Sequence, residues 1–227
     1  MAILNTSSNT FFKRLQVALF AMLMALGLNI SAAELAVKIT SGLSQIEVKH
    51  NGKNVVIKRN QDQLNNINPD FALTSRACPP FCLQPMQFLP GVQTIGELEM
   101  LNFLKQKAGG DKSLLIIDSR TPDWVAKGTI PSSINLPWTK LFPQSPSYQP
   151  LEVESILTLQ FKATLSDNIW NFENVKTLVM FCNGPWCGQS PTNIKALVNM
   201  GYPANKIFWY RGGMQAWNAA GLTTVKP

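Results

Sequence analysis

Cysteine is the residue type in this chain best suited to covalent chemistry, and its four copies fall into two close pairs, Cys78/Cys82 and Cys182/Cys187. Cys182 follows the apolar run Leu178-Val-Met-Phe181 and opens a loop, Asn183-Gly184-Pro185-Trp186-Cys187-Gly188, ahead of a helical pattern. A thiol held before a helix amino end faces unpaired N–H groups and the positive end of the helix dipole, which favour the thiolate. Cys182 is therefore read as a nucleophile. Cys187 has two readings. It is either a resolving thiol, able to close a Cys182–Cys187 disulfide, or a small buried residue. Cys78-Pro-Pro-Phe-Cys82 reads first as a local disulfide and second as a redox or sulfur-accepting pair. A four-cysteine metal site is the weakest reading, because a pair without further His or Cys nearby does not complete a tetrahedral shell. No metal or cofactor is assigned.

The elements around Cys182 must hold it in place. Leu178 to Phe181 is apolar without alternation, as in a strand buried on both faces of a parallel sheet, and ligands of open α/β sheets bind at carboxyl ends of strands. Ser190 is expected to cap the following helix, with Pro191 at its first position, Ile194, Leu197 and Val198 on its apolar face, and Gly201 as its stop. Upstream, a short strand and a helix with Leu98, Leu101 and Leu104 on one face end at Gly109-Gly110. Leu114–Asp118 is a buried strand, Pro122–Lys127 a short helix and Ser133–Pro137 a third strand. Leu151–Leu165 is predicted to be an amphipathic helix with Ile156, Leu157, Leu159 and Phe161 apolar, and Ser166–Asn174 a loop. A last strand, Ile207–Tyr210, is expected beside the one ending at Cys182, with Arg211-Gly212-Gly213 at the same sheet edge and a closing helix around Met214, Ala216 and Trp217. Alternating strands and helices imply a parallel sheet in an α/β fold.

Four segments follow. Residues 1–33 read as a signal peptide: Lys13-Arg14, the apolar run Leu15 to Ile30, and cleavage after Ala33. An uncleaved membrane anchor is the alternative, and it would be the only membrane association. The expected location is the periplasm or an equivalent exported compartment. Residues 34–60 read as a β-hairpin appendage turning at Asn51-Gly52, with the chain's single histidine, His50, solvated at the turn. Residues 61–91 form a proline-rich linker carrying Cys78 and Cys82, and 92–227 form the main domain. The net charge of +7 is dispersed, with no basic stripe interleaved with aromatics, so nucleic acid is not an expected partner.

Several motifs agree in order and spacing: Ile117-Asp-Ser-Arg-Thr-Pro-Asp-Trp124, Gly128-Thr-Ile-Pro-Ser-Ser-Ile-Asn-Leu-Pro137, Phe181-Cys182 with its loop, Gly201-Tyr202, and Arg211-Gly-Gly-Met-Gln-Ala-Trp217. From about Val92 onward the chain resembles the rhodanese-like sulfurtransferases. The resemblance implies a five-stranded parallel sheet flanked by helices, with Cys182 carrying sulfane sulfur as a persulfide. It implies a small sulfur donor and a thiol or thiophilic acceptor as partners. The N–H groups of residues 183–187 would stabilise thiolate and persulfide, and Gly184 and Gly188 would permit unusual backbone angles.

Departures from the family pattern shape the expectation. Asn183, Pro185 and Trp186 supply none of the positive charge that holds thiosulfate in related loops, so Arg211 and Arg120 are the possible substrate-binding residues. Arg120 has an alternative role as a structural ion pair with Asp118. Thr129 stands where the family often has His, and Trp124 where it often has an acid. The expected activity is that of an exported sulfurtransferase. The alternatives are a thiol–disulfide oxidoreductase or redox sensor built on Cys182–Cys187 with Cys78/Cys82 as a partner pair, and a non-catalytic binding module. Phosphatase chemistry lacks its Arg, replaced by Gly188-Gln189, and cysteine-protease chemistry lacks a histidine base near the cysteine.

Overall fold

The computed structural model describes residues 35–227, and the signal peptide expected at 1–33 lies outside them. The described chain opens with an antiparallel hairpin, β1 (Gln45–His50) and β2 (Lys53–Lys58), turning at Asn51 and Gly52 with both in the left-handed region. A four-residue helix α1 (Pro69–Ala72) follows, then β3 (Gln93–Ile95), α2 (Glu97–Ala108), β4 (Leu114–Asp118), α3 (Pro122–Val125) and β5 (Ile134–Asn135). Next come α4 (Pro150–Ser155), a second hairpin of β6 (Thr164–Ser166) and β7 (Ile169–Asn171), then β8 (Thr177–Phe181), α5 (Gln189–Asn199), β9 (Ile207–Tyr210) and α6 (Gly213–Ala219).

β3, β9, β8, β4 and β5 form, in that order, a five-stranded parallel sheet, with Ile207–Tyr210 beside the strand ending at Phe181 as expected. The period of two along a strand distributes side chains to both faces. Leu178 and Met180 of β8 enter one core with Leu115, Ile117, Ile194 and Trp209. Val179 and Phe181 enter the other with Ile116, Leu101, Met214 and Trp217. This division explains the uninterrupted apolar runs: both faces are covered, so neither register of the strand is polar.

The N-terminal hairpin is a separate two-stranded sheet, as expected, and it packs on that second core. Ile46, Val48 and Ile57 are buried against Met100, Leu101 and Leu104 of α2. The C-terminal tail fastens it: Arg59 donates from Nε to the Ala220 carbonyl at 2.8 Å, and Asn60 N–H to the Gly221 carbonyl at 2.7 Å. His50 is tied down too, its Nδ1 accepting the Ser132 N–H at 3.2 Å.

Three local expectations change. Leu98 is exposed, and the buried stripe of α2 is Met100, Leu101 and Leu104, set by where the hairpin packs. The helix predicted over 151–165 ends sooner: α4 passes into a π turn, Ile156–Gln160, closed by the Phe161 N–H on the Ile156 carbonyl, and the wider turn leaves Leu159 in solvent while burying Phe161. The segment read as a loop from Ser166 holds β7. Asp167 and Asn168 both take positive φ (52° and 61°), as a two-residue hairpin turn requires, and residues of this type tolerate it.

Candidate active site

The sheet order places a topological switch between β8 and β4, because β8 leads outward to β9 and β4 leads the other way to β5. The crevice beyond those two carboxyl ends is where an α/β sheet binds ligands. Cys182 leaves the end of β8, and Asp118-Ser119-Arg120 the end of β4. The Ser119 N–H donates to the Phe181 carbonyl at 2.9 Å and fastens the two chain ends together.

From Cys182 the loop turns back toward α5. The Cys187 N–H donates to the Gly184 carbonyl at 2.9 Å, which closes a tight turn over Pro185 and Trp186. The first turn of α6 clasps the cradle from outside: Met214 N–H donates to the Cys182 carbonyl and Gln215 N–H to the Asn183 carbonyl, both at 2.9 Å. That close approach needs Gly213, with φ +54°, since a Cβ there would run into the Cys182 carbonyl and the Gly184 nitrogen. The glycines expected to carry unusual angles do not. Gly188 is helical, φ −85° and ψ −2°, and caps α5, while Gly184 has no left-handed φ and is instead packed against Gln215 and Trp186. With Gly188 as cap, Ser190 falls inside the first turn of α5, fully buried beside the sulfur.

Cys182 and Cys187 are both buried free thiols, packed together with Trp186. The Cys182 Sγ–H points to the Cys187 carbonyl at 3.4 Å. While that proton is in place the Ser190 hydroxyl has no partner, and it becomes a donor to the sulfur once the thiolate forms. Burial opposes charge on Cys182. Hydrogen bonds from the Cys187 thiol, the Ser190 N–H and hydroxyl and the Gly184 N–H outweigh it, bringing the thiol below its ordinary range. Cys187 moves the other way, well above the ordinary thiol range, through burial and the neighbouring Cys182. The charge settles on Cys182 and the proton on Cys187.

The two arginines expected at an anion are committed elsewhere. Arg120 is fully buried. It makes a two-pronged pair with Asp118, whose Oδ2 lies 2.6 Å from Nη2, and donates to the carbonyls of Gly128 (2.6 Å) and Trp124 (3.1 Å). Its Nη1 lies 3.4 Å from the Asn183 Oδ1, so Arg120 braces the first residue of the cradle from below. Thr129 completes the cluster by donating to Asp118 Oδ2 at 2.7 Å. Arg211 directs Nε and Nη2 to one acceptor, the Gln84 carbonyl, at 3.0 and 2.8 Å.

That acceptor belongs to the proline-rich linker, which forms a strap over the cradle. Cys78 and Cys82 are joined in a disulfide. Just beyond it the Gln84 N–H donates to the Pro185 carbonyl at 2.8 Å. Phe81, inside the disulfide loop, meets Trp186 edge to face at 5.6 Å, and Trp186 Nε1 donates to Gln215 at 3.0 Å. Between strap and cradle lies a cavity of about 350 Å³ walled by the rings of Phe81, Trp124, Trp138 and Trp186, with Cys187 and Gln189 among its polar lining. The linker's lack of apolar periodicity hid this wall. The only sequence signal was an arginine and a phenylalanine close to a cysteine pair.

The family model described as Rhodanese-like domain matches residues 101–220, more than half of the chain. Among similar solved structures is a protein of Rhodopseudomonas palustris described as a possible tyrosine phosphatase, with 23% identity, a TM-score of 0.39, and coverage of 59% of this chain and 85% of that one. A thiosulfate sulfurtransferase from Pseudomonas aeruginosa is 20% identical with a TM-score of 0.39, and the match covers 60% of this chain and 20% of that one. A rhodanese-related protein from Thermoplasma volcanium is 19% identical with a TM-score of 0.33, over 59% of this chain and 98% of that one. No curated protein matches the chain.

Proposed function

Because the chain belongs to the rhodanese-like domain family, we propose that it is a sulfurtransferase that carries sulfane sulfur on Cys182 and passes it to a thiol. The observation that supports this most is the charge partition of the buried pair: Cys182, at the switch point of the sheet, is held toward thiolate by four donors, of which the Gly184 N–H is the one backbone donor from the loop 183–187 that was expected to supply several. The thiolate attacks the outer sulfur of a donor R–S–SH. The donor S–S bond breaks, RS⁻ leaves, and Cys182 becomes the persulfide. An acceptor thiolate then takes the outer sulfur and returns Cys182 as thiolate. The donors that stabilise the thiolate serve the persulfide anion equally, which is transition-state electrostatics applied to sulfur. Intact mass tests the reading. Protein treated with glutathione persulfide, polysulfide or thiosulfate should gain one sulfur on Cys182, and a non-catalytic binding module would gain none from any donor.

A second reading is favoured by the proximity of the two thiols. Cys187 attacks Cys182 Sγ, the persulfide S–S bond breaks, hydrosulfide leaves with the proton Cys187 held, and a Cys182–Cys187 disulfide remains. A dithiol reductant must then reopen it. Cys187→Ser should keep the persulfide but release no hydrosulfide. If wild type and the variant release it equally, Cys187 is only a packing and hydrogen-bonding residue.

The protein is also proposed to act outside the cytoplasm. The Lys13-Arg14 and apolar N-terminal pattern supports this, together with a surface disulfide of the kind that persists in oxidising compartments. Recovery of a mature chain beginning at Glu34 is the expected result, and a chain retaining its first residues in the cytoplasm would contradict it.

A further inference from the structure

The cradle loop carries no positive charge, and both arginines near it are taken up by the fold. A third arginine, which the sequence did not single out, stands on the cradle's own ring. Arg76, two residues before the strap's disulfide, lays its guanidinium over the cradle's own Trp186 at 4.0 Å from the ring centroid, with Phe81 at 5.6 Å and Trp124 at 5.8 Å. These are three of the four rings that wall the cavity. Stacking on rings leaves the edge of the guanidinium free for hydrogen bonds. Its Nε is buried without a hydrogen-bond partner, and none of the ion pairs among the described residues includes it. Lys127, the other cation on Trp124, is by contrast paired with Asp70 at 3.0 Å. A buried donor without an acceptor is costly, and a planar guanidinium is the group best matched to a carboxylate or sulfonate.

We propose that Arg76 is the anion-recognising residue of this site, holding the negatively charged end of a small sulfur donor at the mouth of the cavity while its sulfane sulfur reaches Cys182. The charge that related loops carry within the cradle is delivered here by the strap, which the Cys78–Cys82 disulfide, Gln84 and Arg211 hold in place. This rests on the sulfurtransferase reading and names the donor class: an anionic thiosulfonate or carboxylate-bearing persulfide, with uncharged trisulfides disfavoured. With thiosulfate the step balances as Cys182 thiolate attacking the sulfane sulfur, the S–S bond breaking, and sulfite leaving with its two charges.

The test compares steady-state loading of full-length protein by thiosulfate, by glutathione persulfide and by an uncharged trisulfide, in wild type, Arg76→Gln and Arg76→Lys. Loss of one charged hydrogen-bonding group should raise KM for both anionic donors about tenfold or more. The expected pattern leaves kcat within a few-fold and the uncharged donor nearly unmoved, with part of the loss recovered in Arg76→Lys. Added salt should weaken the anionic donors in wild type and Arg76→Lys but not in Arg76→Gln. Equal changes for charged and uncharged donors would make Arg76 a pin for the strap and overturn the assignment, as would no change at all. If wild type loads from no donor, the sulfurtransferase reading falls and takes this assignment with it. If wild type loads and Arg76→Gln matches it with every donor, only the assignment falls.

Discussion

Cys182 owes its lowered thiol pKa to neighbours that differ in kind, and each can be removed separately. The Ser190 hydroxyl is fully buried and has no other partner, so Ser190→Ala removes a donor to the thiolate and creates little new space. Because donors lower the thiol's pKa, losing one raises it. The pH midpoint for alkylation of Cys182 should move upward in Ser190→Ala, with slower alkylation near neutral pH and little change well above the thiol range. An unmoved midpoint would mean the backbone N–H groups alone set the charge. Arg120 illustrates the opposite kind of residue. Its guanidinium is consumed by Asp118 and two carbonyls, so Arg120→Met leaves a carboxylate buried with only Thr129 and backbone for company. Breaking a buried pair on one side costs about 3–5 kcal/mol. Denaturant titration should show that loss, whereas a substrate-binding arginine would leave stability unchanged and raise KM alone. The place of Cys182 was legible in the sequence because a strand end, a glycine-proline loop and a helix start are local patterns. The ion pair of Arg120 with Asp118, two residues apart, was legible too. The placement of Arg211 and Arg76 was not, since Arg211 bonds to Gln84 and Arg76 stacks on Trp124 and Trp186, each pairing joining the main domain to a distant segment without periodicity.

Among elements, the contact between α6 and the cradle decides whether the site exists. Gly213→Ala would place a Cβ against the Cys182 carbonyl at a backbone angle that side chains resist, and should cost roughly 1–3 kcal/mol. Sulfur loading should fall further than stability, because the clasp on the Cys182 and Asn183 carbonyls is what shapes the loop. A loading rate that merely tracks the folded fraction would show the clasp to be structural alone. The hairpin β1–β2 reports on pH through His50, which accepts the Ser132 N–H only when neutral and whose pKa burial lowers from its ordinary 6.5. The unfolded chain then binds more protons than the folded one as pH falls through that region. His50 therefore contributes stability above about pH 6.5 that is lost as pH drops through its lower folded value. His50→Asn should flatten that part of the stability–pH curve, and an unchanged curve would mean the bond to Ser132 contributes nothing. The strands were legible from their apolar runs and Asn51-Gly52 announced its turn. The β6–β7 hairpin was missed because Asp167-Asn168 was read as loop composition rather than as two residues able to take positive φ.

At the scale of the whole molecule, segments that looked separate in sequence join into one body over residues 35–227. The hairpin seals the second core, the tail from Ala220 fastens the hairpin, and the strap roofs the site. The sequence shows composition shifts at Asn60 and at Val92. It could not show that they close on one another, because the contacts pair residues more than a hundred positions apart, as Arg59 does with Ala220. The strap should be separable in function from the core. The Cys78–Cys82 disulfide closes only a short loop, so on its reduction the melting temperature should fall only modestly, by an amount equivalent to about 2 kcal/mol or less. Loading by anionic donors should weaken more, because Arg76 is then held less firmly. Equal loss for charged and uncharged donors on reduction would show that the strap acts as a lid without selecting charge.

The proposed function stands or falls with Cys182 as a sulfur carrier. Protein reduced at Cys182 and Cys187, treated briefly with glutathione persulfide, polysulfide or thiosulfate and analysed by intact mass and peptide mapping, tests it directly. One added sulfur on Cys182 is the expected result, absent in Cys182→Ser and longer lived in Cys187→Ser. An unmodified Cys182 in wild type across all donors, with the thiol still open to alkylation, would contradict the account.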